Sequence, residues 1–94
     1  MGVAPTTRLA MVACFGPHEG PWLRGRGNET GIRVICLGDG EVVDVEREQA
    51  NGLITTESIT SDGEVSVGAF KRIRFVKRCS GKGSKPTTVE LLIS

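Results

Sequence analysis

Between Ala69 and Pro86 stand seven cationic side chains and no acid: Lys71, Arg72, Arg74, Lys77, Arg78, Lys82 and Lys85. A guanidinium is weakly hydrated and forks onto phosphate, while an aromatic ring gives a base a surface to stack on. Phe70 precedes the run, and a second segment, Trp22-Leu23-Arg24-Gly25-Arg26-Gly27, offers an indole and two more guanidinium groups on a glycine-rich backbone. Contact with single-stranded nucleic acid or RNA through phosphate and stacking therefore points to Trp22, Arg24, Arg26, Phe70, Arg72, Arg74, Arg78 and Lys82.

The same residues admit a second explanation. Asp44, Glu46 and Glu48 follow a strand-like run that can pair with or stack near the basic one, and opposite charges on neighbouring strands fix register. The positive run is then neutralised within the molecule or across a subunit contact. The protein would in that case be a self-associating structural or adaptor protein, or one that meets an acidic protein partner. Trp22 has two roles open to it as well, a stacking platform or a plug at one end of the core.

Charge is segregated along the chain. Residues 1–38 carry four arginines against two glutamates, residues 39–64 carry eight acids against Arg47, and residues 65–94 carry seven cations against Glu90, yet the formal net charge is only +1. Such a distribution bears on association more than on fold. A sequence pI of about 7.7 argues against a dedicated duplex binder, which is basic throughout.

Catalytic chemistry finds little support. His18 is the single histidine, and no serine, cysteine or acid pattern points at it. Cys14, Cys36 and Cys79 lack the close paired spacing of compact zinc motifs, and an odd, scattered set does not make a disulfide framework, so buried reduced thiols are expected. "SGKGSK" lacks the spacing and the following helix of a phosphate-binding loop. The expectation is a non-enzyme with no metal and no cofactor. The apolar run Leu9–Phe15 is too short to span a bilayer and has no cleavage pattern, which leads to an expectation of a soluble, cytoplasmic chain without membrane contact.

Ninety-four residues, 38 % hydrophobic and 24 % charged, suit one domain over residues 1–94 with a modest core. Alternation predicts strands: Leu9, Met11, Ala13 and Phe15 share one face, Ile32, Val34 and Cys36 another, and Val89, Leu91 and Ile93 a third. Asp39-Gly40 and Asp62-Gly63, each flanked by β-branched runs, predict two hairpins, and "SGKGSKP" a third. The expected fold is all-β, a small antiparallel barrel or two-layer sandwich of about seven strands built from consecutive hairpins. One short helix near 45–51, capped by Asn51-Gly52, competes with an irregular connection there. A Gly/Pro-rich loop covers 16–31, and the long run from Glu64 to Cys79 must bend near Gly68. On the basic strand, parity sends Ile73 and Phe75 inward and Phe70, Arg72, Arg74 and Arg78 outward, with Lys77 snorkelling at the strand end.

Overall fold

The computed structural model describes residues 6–12, 18–78 and 87–93. Nine strands occur among them: β1 (Thr6–Val12), β2 (His18–Glu19), β3 (Leu23–Arg24), β4 (Glu29–Ile35), β5 (Val42–Glu48), β6 (Ile54–Ile59), β7 (Gly63–Ser66), β8 (Arg72–Arg78) and β9 (Thr87–Ile93). No described residue is helical. One antiparallel sheet runs β1-β9-β4-β7; the other runs β8-β5-β6, with the two-residue strands β2 and β3 both pairing along the free side of β8. The sheets are not closed into a barrel and pack as a sandwich.

Inward alternation on both sheets builds the core between them. Ile32 and Val34 of β4 and Val89 and Leu91 of β9 meet Val43 and Val45 of β5, Ile59 of β6, and Ile73 and Phe75 of β8. Each is a β-branched or large apolar side chain on a strand with period two, so one face is dry and the other wet. Cys36 departs from the expected pattern: it lies past the end of β4 at a φ of 65°, exposed, instead of sharing the buried face of Ile32 and Val34. Cys14 and Cys79 lie outside the described residues.

Both expected Asp-Gly hairpins are absent. β4 and β5 belong to different sheets, as do β6 and β7, so Asp39-Gly40 and Asp62-Gly63 carry the chain across the sandwich. The Asp62 carboxylate explains part of this. It accepts the backbone N–H groups of Cys36 (3.0 Å) and Leu37 (2.7 Å), tying the β6–β7 crossing to the end of β4. β8 and β9 likewise fall in different sheets and do not pair as the expected third hairpin; "SGKGSKP" itself lies outside the described residues.

The hairpin that does form is β5–β6, through Asn51-Gly52, where the sequence allowed a helix. Gly52 has a φ of 86°, its N–H bonds the carbonyl of Gln49 (2.9 Å), and the Asn51 side chain accepts the N–H of Leu53 (3.0 Å). The residues 45–51 do not coil because alternation persists through them. Val43 and Val45 point inward, while Asp44, Glu46 and Glu48 form one outward row that the neighbouring strand satisfies.

The break near Gly68 is present, as a change of sheet: β7 ends at Ser66, and the chain enters the other layer at Arg72. Phe70 sits in that crossing and turns into the core. It does not join the outward arginine row, because β8 begins only after it. Gly25 permits the close pass of the β3 end over this point, since a Cβ there would strike the carbonyl oxygen of Phe70.

Lys77 is the other inward surprise. Its side chain is 0 % exposed, and its ammonium lies 3.3 Å from a Glu41 carboxylate oxygen and donates to the Thr87 hydroxyl. That hydroxyl in turn donates to the Cys36 carbonyl (3.0 Å), and the same Glu41 oxygen accepts the Gly38 N–H (2.6 Å). Parity was right and snorkelling was not: a buried acid lets the ammonium stay inside.

Candidate interaction face

Pairing in the second sheet sets the functional side chains in rows. Across its outer face Arg24 stands opposite Arg72, Arg72 opposite Glu48, and Glu48 opposite Ile54. The next row holds Arg74, Glu46 and Thr56. Arginine on β8 and acid on β5 therefore face each other by register alone.

Their side chains close the gap. The Nε atoms of Arg72 and Arg74 donate to Glu48 and Glu46 respectively. Arg74 also lies 3.6 Å from the Glu19 carboxylate of β2, and Arg78 pairs with Asp44 at 3.2 Å. Ser58 of β6 adds a hydroxyl donor to Asp44 at 2.7 Å. The hydrogen bond to Glu46 raises the pKa of the Arg74 guanidinium above its ordinary value; desolvation opposes this, and the charges of Glu46 and Glu19 add to it. Pairs of this exposure are individually weak, but four acids against Arg24, Arg72, Arg74 and Arg78 leave the face near neutrality.

Trp22 lies on this ladder. Its ring centroid is 4.3 Å from the Arg72 guanidinium carbon and 4.8 Å from that of Arg74, so the indole meets the two arginines that Glu48 and Glu46 hold. The ring stays half-buried on the sheet surface. Trp22, Arg24, Glu48, Lys71 and Arg72 line an open pocket of about 490 Å³. A second of about 490 Å³ lies beside it, lined by Gln49, Ala50, Ala69, Phe70 and Lys71, and shares Lys71 with the first.

Of the candidates read from sequence, the fold gathers Trp22, Arg24, Arg72 and Arg74 into one site, with Arg78 at the far end of the same strand. Arg26 is exposed on the following loop, where its backbone N–H donates to Glu29 (2.9 Å), and it lines neither pocket. Phe70 offers an edge to the second pocket from the core side. Lys82 lies outside the described residues. Glu19 and the exposed Ile54 are additions; no local motif marks them, and only the strand order brings them to this face.

No grouping of histidine, cysteine and acidic side chains among the described residues could hold a metal ion. None of the described segments is a helix long and apolar enough to cross a membrane. Comparison with protein-family models, with curated proteins and with solved structures returned no match.

Proposed function

We propose that this protein is a non-enzymatic structural or adaptor module that works through protein–protein contact, self-association included, using the outer face and free edge of its second sheet. The observation that carries this reading is the carboxylate ladder. Arg72, Arg74 and Arg78, the groups that would grip phosphate, each have an acid on β5. What remains is a near-neutral surface with a stacked tryptophan, arginines and the exposed Ile54. Protein interfaces are enriched in tryptophan and arginine and depleted of unpaired charge at their centres. The acidic and basic blocks of the sequence thus serve the fold of one molecule first, and association follows from the neutral face they create.

Sedimentation velocity of the full chain tests this. Concentration-dependent association that persists at raised salt is expected, because the charges are already paired internally. A strict monomer over a wide concentration range, with no retained protein partner, counts against it.

A second reading rests on the first pocket: Lys71, Arg24 and Arg72 around Trp22 suit a short stretch of single-stranded nucleic acid or RNA, with one base on the indole. Fluorescence anisotropy with labelled single strands at low and physiological salt separates the two. Saturable, salt-sensitive binding abolished alike for all sequences by Arg72→Ala with Arg74→Ala would favour nucleic acid; absence of binding at low salt favours the protein-contact reading.

A further inference from the structure

We infer that the second copy of this chain docks edge to edge on β6, antiparallel, with a two-fold axis through Thr56. The inference rests on the self-association reading above and names the surface it uses.

An exposed sheet edge is a row of unpaired backbone donors and acceptors, and folded proteins blunt such rows with proline, lysine, bulges or brevity. The opposite edge of the same sheet is blunted: β2 and β3 have two residues each, with Gly20 and Pro21 in the gap between them. In the other sheet, β7 has only four residues and begins at a glycine, while β1 carries Arg8 near its middle. β6 has no proline, lysine or bulge and is not short; its one charge is Glu57, which stands opposite Val45 on the inward side. It runs six residues, Ile-Thr-Thr-Glu-Ser-Ile, four of them β-branched, without lysine, arginine, proline or glycine. Just before and within it, Leu53 and Ile54 are 55 % and 51 % exposed.

Symmetry and charge together select the occupant and the register. A two-fold axis normal to the sheet keeps the outer faces of both copies on one side, so each residue must face a residue of the same parity, and one residue faces its own copy. An axis at Glu57 would set two carboxylates against each other, which is destabilising. An axis at Thr55 would pair only Ile54 to Thr56 within the strand. The axis at Thr56 pairs Ile54 with Ser58, Thr55 with Glu57 and Thr56 with itself, and continues Leu53 onto Ile59 of the second copy. Thr–Thr pairs are favourable on sheets, and this register leaves no like charges opposite.

The acidic row behind β6 does not oppose the approach. Asp44, Glu46 and Glu48 are already engaged by β8 and Ser58. The two β5 strands would stand three strand spacings apart, about 14 Å, which exceeds the Debye length of about 8 Å at physiological ionic strength. Docking would make one continuous sheet through both molecules, with the Trp22 pockets at its two ends.

The test is sedimentation equilibrium of the full-length protein beside three variants, with circular dichroism to verify the fold. Thr56 is exposed on the outer face, so Thr56→Lys and Thr56→Glu leave the core untouched. Each alone is expected to be monomeric at concentrations where the unaltered chain is dimeric, and an equal mixture of the two is expected to recover the dimer mass, because position 56 meets itself. Ser66→Lys, on the β7 edge, is expected to remain dimeric. Dimers of undiminished affinity in Thr56→Lys would overturn the β6 edge while leaving self-association standing. Failure of the mixture to recover, with both single variants monomeric, would overturn the Thr56-centred register. A monomeric unaltered chain would overturn the self-association reading and this assignment with it.

Discussion

Among the described residues one cationic side chain is fully buried. Lys77 is fully enclosed, with Glu41 and Thr87 as its partners, and the Glu41 carboxylate also holds the Gly38 N–H at the sheet crossing. Removing one member of such a pair leaves the other charged group in a dry site, which is costlier than the pair itself is favourable. Lys77→Ala is therefore expected to lower unfolding free energy by about 3–5 kcal/mol, read from urea denaturation. Lys77→Met combined with Glu41→Gln should recover most of that loss: methionine fills the lysine's volume, the charge is gone from both sides, and glutamine retains an acceptor for Gly38. If the double variant is as unstable as Lys77→Ala, the cluster holds the fold through something other than charge compensation. The sequence showed that Lys77 points inward, by parity alone. Its burial depended on Glu41, thirty-six positions earlier, and no local pattern joins the two.

Strands were legible, and their neighbours were not. Alternation in "IRV", "VVDV", "RIRFVK" and "TVELL" locates β4, β5, β8 and β9, because a half-buried strand must alternate whatever it pairs with. Turn chemistry is less informative, since Asp-Gly suits any bend that needs a carboxylate acceptor and a permissive backbone. At Asp62 the acceptor serves Cys36 and Leu37, residues on another strand, and the chain changes layer there. Asn51-Gly52 is the true hairpin, and the loss of β-branched residues before it reflects charge pairing with β8, not helix formation. At this scale Gly52 is the sensitive position. With a φ of 86° and no neighbour within 4 Å of an added Cβ, Gly52→Ala tests backbone strain without steric clash. A cost of about 1–2 kcal/mol is expected from the left-handed conformation. An unchanged denaturation midpoint would mean that the turn relaxes freely and that the β5–β6 pairing does not depend on it.

For the whole molecule, the question is what the ladder on β5 and β8 conceals. Arg72, Arg74 and Arg78 were visible in the sequence as part of a phosphate-binding set with Trp22, Arg24, Arg26, Phe70 and Lys82, and Asp44, Glu46 and Glu48 were visible as their competitors; only the strand order decides that the three arginines and the three acids are adjacent. Counterion release requires cations that exchange water and salt for phosphate, so arginines already held by carboxylates contribute little to polyanion affinity. Glu46→Gln with Glu48→Gln preserves side-chain shape and leaves hydrogen-bond acceptors for Arg74 and Arg72, but removes two negative charges from the face. If neutralisation is what keeps this surface from binding nucleic acid, the double variant should acquire affinity for single-stranded RNA at low salt. That affinity should fall as salt rises, by roughly 0.7 decades per decade of salt for each phosphate contacted. Anisotropy titrations of the unaltered and variant proteins at two salt concentrations measure both effects. Equal and negligible binding by both would mean that freed arginines do not suffice for a polyanion site, and that the face is shaped for protein. Strong binding already in the unaltered chain would mean that the Trp22 pocket works despite the ladder, and the nucleic-acid reading would take precedence.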